Sequence, residues 1–487
     1  MSFTFVGLLQ LVIGSILLFR SLPAMLMFLL ASGLFGGSAA LTMPAIGNSS
    51  VPPIQFALLF VYIRLLMPRG GYFAVWTQGI RDNFMLVLFT FYGMVAAYAG
   101  PRIFAGRMNV APVRFENPRN LFDAIPLEPT SQNFTASIYL LCALLAALAA
   151  YAIVRSRAGV EMLVKGGVVI AWVHALSGLI ASLTKGTPLE EVFSLFRNGN
   201  YAQLDQAYQG FNRVDGFFPE ASGWAAFGIA WFVFNCECWY RSVWSKHTGR
   251  AALLLGAVLF FSTSSTAYVG IGCYLVFFIG RLLVMPASVQ PVRLKQGLLA
   301  MFSMMVMAAV AMAAIPHFAA QVVDMILHMT VDKGDSLSGQ QRLFWAMQGF
   351  TAFEVSAGVG IGPGSFRSSS LLTAILGTMG VVGVLTFAGY VFSVLRPLPT
   401  RGAGGQGAGG QGAGGGAGND AVVAVMEACA TTAFIVLIPA AISSPNSHPG
   451  TNFSILAGAA LALRHIAMRS GPASQPDQAR QNRTVPA

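Results

Sequence analysis

The sequence predicts an all-α polytopic membrane protein, and three observations support that fold class. Hydrophobic residues make up 55% of the 487 residues, and charged residues make up only 10%. The mean hydropathy is +0.66. A soluble domain has roughly 25% charged residues, so this chain is too poor in charge to cover a surface that faces water. Its apolar residues also fall into many stretches of the length that an α-helix needs to cross a bilayer, about 20 residues.

Thirteen apolar stretches are candidate membrane spans, which predicts 12 or 13 transmembrane helices. The stretches 250–262 and 265–284 are separated only by a hydroxyl-rich tip. They form either two spans joined by a tight turn or one kinked or re-entrant element. The first stretch is short, and a position in the membrane interface is its alternative. The candidate spans cover residues 4–19, 22–46, 51–67, 84–100, 134–154, 160–183, 222–240, 250–262, 265–284, 296–316, 370–395, 421–440 and 451–468.

Basic residues between the stretches give the spans a direction, because lysine and arginine accumulate in cytoplasmic loops. The formal net charge of +11 is assigned to these loops, which meet anionic lipid headgroups, and nucleic acid is not expected as a partner. The loop 101–133 is an exception, since it carries four arginines on the outer face. Counting 250–262 and 265–284 separately places five basic groups on one face, which favours two spans. These groups are Arg155, Arg157 and Lys165; Arg241, Lys246 and Arg250; Arg281, Arg293 and Lys295; Arg396 and Arg401; and Arg464 and Arg469.

The spans and their composition divide the chain into four regions. Residues 1–200 are predicted to be N-terminal transmembrane helices, and residues 201–468 a transmembrane core. Within the core, residues 402–418 consist largely of glycine, a composition typical of a flexible linker, here cytoplasmic. Residues 470–487 are polar and are predicted to be a disordered tail.

The polar, non-repetitive stretches of the second half fall on the outer face. Two of them are larger extracytoplasmic loops, and two are short turns. We therefore expect any chemistry of the protein on that face. The stretches are the loop 184–221, the tip Ser262–Thr266, the loop 317–369 and the turn Ser443–Pro449.

Arg213 and Glu220 lie just before the stretch 222–240. An ionisable group at a membrane boundary costs free energy unless it is paired or solvated, so both are functional candidates. Arg213 offers a planar fork of donors that suits phosphate. Glu220 lies at a predicted helix N-terminus, where unpaired amides stabilise a carboxylate. The structural alternative is that Glu220 only caps the helix and that Arg213 pairs with Asp215.

Two further groups supply polar and aromatic side chains to the outer face. The hydroxyls of Ser264, Ser265 and Thr266 either cap helices or bind sugar hydroxyls and phosphate oxygens. Arg342 and Trp345 are three residues apart, so they share one face of a helix. A cation beside a flat aromatic ring is a suitable surface for a diphosphate and a sugar.

The glycine-rich stretch around Gly362 lacks the Lys-Ser/Thr ending of a nucleotide P-loop, and we therefore reject ATP binding. A tight turn with backbone amides that face an anion is left open, which makes Gly362 and Arg367 candidates for substrate binding. His448 lies in a proline-rich turn and is either structural or catalytic. No His, Cys or Asp pattern has the spacing of metal ligands, so neither a metal nor another cofactor is expected.

In this order, the segments resemble the O-antigen ligase and Wzy-type polysaccharide polymerase superfamily. The resemblance covers about residues 205–465, whereas the N-terminal 200 residues match only as a series of spans. It implies a GT-C-like helical fold in the bacterial inner membrane, with the active face in the periplasm. The matching pieces are Arg213…Gly216-Phe-Phe-Pro-Glu-Ala-Ser, the hairpin ending Thr266-Ala-Tyr, Arg342-x-x-Trp345, Gly358-Val-Gly-Ile-Gly-Pro-Gly-Ser-Phe and Gly377-Thr-Met-Gly-Val-Val-Gly383.

Members of this superfamily transfer glycans that are carried on undecaprenyl diphosphate, without a metal and without a nucleotide sugar. The resemblance implies that Arg213 and Arg342 contact the diphosphate and stabilise the charge that develops on it. It also implies a general base that activates the acceptor hydroxyl. Glu220 is the leading candidate for this base, with His448 behind it. A cavity that faces the bilayer would admit the polyprenyl tail, so membrane lipid is a further expected partner.

The sequence favours a polymerase of exopolysaccharide or O-antigen over a ligase. Ligases usually carry a His-Asn pair after the glycine-rich stretch, and the residues 368–370 are serines here. The alternatives are an O-antigen ligase that transfers the glycan to lipid A-core and, in another class, a transporter or flippase of lipid-linked sugars. A transporter should show internal repeats and broken helices, and no such repeat is evident in the sequence. A chain-length regulator and a flippase are candidate protein partners of a polymerase.

Overall fold

Helices account for most of the described chain. The computed structural model describes residues 2–43, 49–67, 73–113, 122–199, 207–208, 211–212, 214–284, 290–314, 337–398 and 416–469. The helices are α1 (Phe5–Leu17), α2 (Leu22–Ser32), α3 (Pro53–Leu66), α4 (Phe73–Asp82), α5 (Phe84–Ile103), α6 (Ser131–Val154), α7 (Arg157–Thr184), α8 (Glu190–Ser194), α9 (Ala221–Tyr240), α10 (Ser245–Phe261), α11 (Ser265–Val284), α12 (Pro291–Ala314), α13 (Leu337–Val355), α14 (Leu371–Leu395), α15 (Gly416–Ser443) and α16 (Thr451–Arg469).

Within the described ranges, strands form only three small antiparallel sheets, each strand two or three residues long. Their shortness confirms the all-α class that the composition predicts. The first sheet has the order β1 (Ser2–Phe3), β2 (Leu41–Met43) and β3 (Ser49–Val51), and the others pair β4 (Asn109–Val110) with β5 (Ile125–Pro126) and β6 (Ala207–Tyr208) with β7 (Phe211–Asn212).

Six of the described helices are long and apolar enough to cross a membrane, so the chain has the features of a multi-pass membrane protein. Helices α1, α2 and α3 are apolar but shorter, at 10–17 residues. The 12 or 13 spans predicted from the sequence exceed the number of described helices that meet both criteria. The six helices cover Phe84–Ile103, Ser131–Val154, Arg157–Thr184, Ser265–Val284, Leu371–Leu395 and Asn419–Ser443.

The predicted span 22–46 is wrong as a single helix. Helix α2 ends at Ser32, and residues Leu41–Met43 form a strand. A glycine pair follows the helix and contacts a distant loop. A Cβ on Gly36 would lie 2.3 Å from the Phe218 ring, and a Cβ on Gly37 would lie 2.7 Å from the Phe217 carbonyl oxygen. This close packing, which hydropathy does not reveal, turns the chain away from the helix axis.

The predicted hairpin between 250–262 and 265–284 is present as two separate helices. Helix α10 ends at Phe261, and α11 begins at Ser265. The Ser262 hydroxyl donates to the Leu259 carbonyl oxygen at 2.7 Å, and Thr263 adopts a positive φ of 54°. Helix α10 is not among the six described helices that meet both criteria, so the crossing of the membrane by both helices stays a prediction.

Apolar side chains also cover the outside of the bundle. On α5, exposed residues recur every three or four positions, and Phe91 and Tyr98 are each 68% exposed. Such a stripe is destabilising in water and is typical of a helix face that contacts lipid. The interior is packed through small residues, as at Gly458 of α16, where a Cβ would lie 2.1 Å from the Ala147 carbonyl oxygen of α6.

A buried ion network joins α9, α11 and α15. The Glu237 carboxylate is fully buried and accepts hydrogen bonds from Arg241, from Arg281 Nη1 at 2.9 Å and from the Tyr274 hydroxyl at 2.8 Å. Arg241 Nε also pairs with Glu427 Oε2 at 2.9 Å. A buried carboxylate is tolerated only with such partners, because its desolvation costs several kcal/mol. Both arginines belong to the groups that the sequence assigns to the cytoplasmic face.

Substitution of Glu237 tests how much this network stabilises the bundle. We expect Glu237→Gln to reduce the stability by about 3–5 kcal/mol, because it leaves two buried arginines without their shared anion. The matched variant Glu427→Gln changes a side chain that is 50% exposed, and we expect a loss of about 0–1 kcal/mol. Thermal unfolding of both purified variants measures the difference, and equal midpoints would contradict the assignment.

Candidate functional site

A cavity of about 650 Å³ lies where helix ends from distant parts of the chain meet. The N-terminal ends of α3, α6, α9 and α16 contribute to its lining, together with α13, the loop before α14 and the turn after α15. Five residues singled out in the sequence line this one cavity, and no other described part of the chain gathers as many of them. They are Glu220, Arg342, Trp345, Arg367 and His448.

Glu220 occupies the N-cap position of α9, but its carboxylate does not cap the helix. Its backbone is extended, and its carbonyl oxygen accepts the first helical hydrogen bond, from Trp224 N at 3.1 Å. The carboxylate forms no hydrogen bond or ion pair with any residue that the structure describes. The alternative that Glu220 only caps the helix is therefore wrong, and its side chain lines the cavity as a free carboxylate.

The loop that leads to Glu220 is fixed by a residue that the sequence did not single out. Arg197 Nη2 pairs with Asp215 Oδ1 at 2.6 Å, and Arg197 Nε donates to the Gly216 carbonyl oxygen at 2.9 Å. Burial raises the pKa of Asp215, and the Arg197 guanidinium opposes that rise. Arg213, the partner that the sequence suggested for Asp215, lies outside the described residues, as does its predicted contact with diphosphate.

Two arginines and a tryptophan form one wall of the cavity. Arg342 and Trp345 both line it, in agreement with their spacing on one helix face. The Arg367 Cζ atom lies 4.2 Å from the centroid of the Trp345 ring, so the guanidinium stacks on the indole. Burial lowers the pKa of Arg367, Glu220 opposes that shift, and Arg342 adds to it. Neither guanidinium bonds to another described residue, and both therefore carry free donors.

His448 lines the cavity from the turn after α15. Its ring packs edge-on against Tyr139, with the ring centroids 5.3 Å apart. Burial lowers the pKa of His448 to about 4, so the imidazole is neutral at pH 7.

The glycine-rich segment packs between α5, α6 and α14. The amides of Ile361 and Gly362 donate to the carbonyl oxygens of Gly377 at 3.0 Å and Thr378 at 2.9 Å. A Cβ on Gly362 would lie 2.4 Å from the Ala96 carbonyl oxygen, and its φ is +96°. Gly362 does not line the cavity, so its role in substrate binding stays a prediction. Its amide is already bonded and cannot face an anion at the same time.

Helix α14 is interrupted at the point where the glycine-rich segment packs against it. Gly380 has a φ of 58° and a ψ of −151° within the helix, and the amide of Val381 donates to the Gly358 carbonyl oxygen at 2.9 Å. A Cβ on Gly380 would lie 1.9 Å from that oxygen. The glycines of both segments therefore allow two backbones to approach closely. This packing holds the end of the segment, including Arg367, at the cavity wall.

Ser264, Ser265 and Thr266 are not among the described residues that line the cavity. Ser264 and Thr266 are buried at the start of α11, and the Ser264 hydroxyl has no hydrogen-bond partner among the described residues. Their role in substrate binding stays a prediction. Ser368 and Ser369, which follow the glycine-rich segment, do line the cavity.

Sequence reasoning missed several uncharged polar residues of the lining, most of them near helix ends. Their signal was a polar side chain in the first turns of an otherwise apolar stretch. Among the described residues, no group of three or more His, Cys, Asp or Glu side chains has the geometry of a metal site. The missed residues are Gln55, Gln132, Thr135, Tyr139 and Thr451.

A matched pair of glycine substitutions tests the packing role of Gly362. We expect Gly362→Ala to destabilise the protein by more than about 1 kcal/mol, because alanine disfavours positive φ and its Cβ would overlap the Ala96 carbonyl. Gly272→Ala is the control, since nothing lies within 4 Å of a Cβ at that helical position. Thermal unfolding of both variants measures the effect. A thermal midpoint of Gly362→Ala equal to that of the wild-type protein would contradict the close packing of Gly362 against Ala96.

The pKa of His448 predicts a dependence of stability on pH. The folded-state pKa of about 4 lies below the ordinary value of about 6.5. Between these values the unfolded chain binds more protons, so His448 destabilises the fold progressively as the pH falls. We expect the thermal midpoint to fall less between pH 7 and pH 5 in His448→Gln than in wild type. If the thermal midpoints of the two proteins change in parallel between pH 7 and pH 5, the lowered pKa of His448 is contradicted.

No protein-family model matches the chain, and no match is found among curated proteins.

Proposed function

We propose that the chain is a polymerase of polyprenyl-diphosphate-linked glycans. In this proposal it joins oligosaccharide repeat units carried on undecaprenyl diphosphate, at the periplasmic face of the bacterial inner membrane. One observation supports it above the others. A single cavity brings together a carboxylate, two guanidinium groups and an aromatic ring from three segments of the sequence, and these charged groups form no ion pair with one another or with another described residue.

The carboxylate and guanidinium groups of the cavity form no ion pairs among the described residues, which supports the proposal that the ligand is itself charged. Charges near a membrane boundary cost free energy unless they are paired or solvated. Glu237 is surrounded by two guanidinium groups and a hydroxyl, whereas Arg342 and Arg367 form no ion pair or hydrogen bond with an acidic side chain among the described residues, and Glu220 acts on Arg367 only electrostatically. A diphosphate would supply the missing partner to both arginines, since guanidinium and phosphate oxygens form charge-assisted hydrogen bonds.

The proposed reaction is a displacement at the anomeric carbon of the donor sugar. Glu220 accepts the proton of an acceptor hydroxyl, whose oxygen forms a new bond to that carbon. The bond between the carbon and the diphosphate oxygen breaks, and its electron pair stays on the diphosphate. Arg342 and Arg367 stabilise the negative charge that develops there. Cleavage of the bond between the sugar and its diphosphate supplies the driving force, so no nucleotide is consumed.

Trp345 and the uncharged lining complete the proposed site. The indole face that stacks on Arg367 holds the guanidinium in one orientation, which reduces the entropy lost when a phosphate binds. Hydroxyl and amide groups of the lining, such as Ser369, Gln132 and Asn446, suit the hydroxyls of a sugar. If the resemblance to the superfamily holds, the serines at 368 and 369 replace the His-Asn pair of ligases, which favours a polymerase over an O-antigen ligase.

A transporter of lipid-linked sugars is the second candidate, because α14 is interrupted at Gly380. Broken helices in transporters expose free backbone groups to a substrate or an ion. At this interruption the Val381 amide bonds to the Gly358 carbonyl oxygen instead. That contact favours a packing role for the interruption and leaves the enzyme as the first proposal.

Incubation of the purified protein with a lipid-linked repeat unit tests the proposal. We expect a ladder of products, and we expect Glu220→Gln to reduce its rate by about 10²–10⁴-fold because the base is lost. Glu354→Gln, which alters an exposed glutamate of α13 outside the cavity lining, is the control and should retain full activity.

The products separate the alternatives. Transfer of one glycan to a lipid A acceptor, without a ladder, would indicate a ligase. Movement of the lipid-linked unit across a vesicle membrane without a new glycosidic bond would indicate a transporter. A full ladder from both Glu220→Gln and His448→Ala would refute the assigned bases.

A further inference from the structure

The loop 214–220 places Glu220 in the cavity lining. Arg197 does not belong to the described lining, and it bonds to this loop. The Arg197 side chain is 10% exposed, and its partner Asp215 is 20% exposed. Arg197 donates to both the Asp215 carboxylate and the Gly216 carbonyl oxygen, at 2.6 Å and 2.9 Å. A planar guanidinium that bonds a side chain and a backbone oxygen at once fixes the direction of the chain between them.

The turn held by Arg197 is tight and closely packed. Gly216 has a φ of 51°, and a Cβ there would lie 3.0 Å from the Trp224 indole. The amide of Phe218 donates to the Asp215 carbonyl oxygen at 2.8 Å, and the Phe217 carbonyl oxygen accepts from Gly37 N at 2.8 Å. Glu220 follows two residues after this turn, so a shift of the turn moves the start of α9.

The segment that carries Arg197 is itself anchored to the chain after α2. Asn198 Oδ1 accepts a hydrogen bond from Ala39 N at 2.9 Å, and Gly199 N donates to the Gly37 carbonyl oxygen at 2.9 Å. Gly37 thus contacts both the Arg197 segment and the loop that carries Glu220. Arg197 and Gly37 therefore both join the two backbones: Arg197 bonds to Asp215 and Gly216, and Gly37 bonds to Phe217.

We propose that Arg197 is the positioning residue for Glu220, and this inference rests on the proposed function. The Glu220 carboxylate has no hydrogen-bond or ion-pair partner among the described residues, so its position depends on the backbone that carries it. Arg197 is not among the described cavity-lining residues and acts through Asp215 and Gly216. Its loss frees the turn, and Glu220 then spends less time in the geometry that proton transfer requires.

A double-mutant cycle tests whether Arg197 acts through Glu220. We expect Arg197→Gln to lower kcat at least about tenfold, since it removes charge-assisted hydrogen bonds, while KM for the lipid-linked donor stays unchanged. In a Glu220→Gln background the same substitution should have no further effect. Arg107→Gln, which alters an exposed arginine after α5, is the control and should leave both parameters unchanged.

Hydrogen exchange provides a readout that does not depend on activity. In Arg197→Gln we expect amides of residues 214–224 to exchange at least about tenfold faster, and those of residues 371–395 to be unchanged. If Arg197→Gln does not fold, Asp215→Asn replaces it, because asparagine keeps an acceptor for Arg197 but loses the charge. For Asp215→Asn we expect a smaller loss of kcat, which should again be present in the wild-type background and absent in the Glu220→Gln background.

The outcomes are distinct. Equal losses in both backgrounds, no loss of kcat, or unchanged exchange in residues 214–224 would each overturn the inference. A fully active Glu220→Gln single variant would instead overturn Glu220 as the base, which is the proposed function itself. In that case faster exchange in Arg197→Gln would still show that Arg197 holds the loop, without a role in positioning a base.

Discussion

The free energy of removing a charge from water governs both ends of α9. At one end, Glu237 is fully buried and receives hydrogen bonds from Arg241, Arg281 and Tyr274. At the other, Glu220 has no partner among the described residues and faces a cavity whose arginines are equally free. The bundle tolerates the first arrangement, because the buried carboxylate is paired with guanidinium groups of the protein. The second requires a charged ligand or solvent, and this contrast identifies the cavity as the functional end.

The sequence predicted those parts of the fold and the site that depend on composition and on local spacing. The all-α membrane class follows from hydropathy, and the shared helix face of Arg342 and Trp345 follows from their separation by three residues. The bend after α2 was missed because it depends on the contact between Gly36 and Phe218, which are distant in the sequence. The pairing of Arg197 with Asp215 was missed for the same reason, since no local pattern selects between two arginines in one loop.

Glycine composition has two physical explanations that the sequence does not separate. A glycine-rich stretch either exposes its amides to an anion or allows two backbones to approach closely. In this protein the amides of Ile361 and Gly362 bond to α14, and only the end of the segment reaches the cavity. The scaffold thus places Arg367 through backbone packing, and its stacking on Trp345 then orients the guanidinium. The chemistry of the site depends on side chains near helix ends, which close packing within the bundle holds in place.

The central claim is that Arg342 and Arg367 form a binding site for a diphosphate on a polyprenyl chain. The most direct test is the affinity of the purified protein, in lipid nanodiscs, for undecaprenyl diphosphate and for the uncharged alcohol undecaprenol. We expect the diphosphate to bind at least about tenfold more tightly, and we expect Arg342→Gln/Arg367→Gln to abolish that difference. Equal affinities for the two lipids in the wild-type protein, or an unchanged preference in the double variant, would contradict the account.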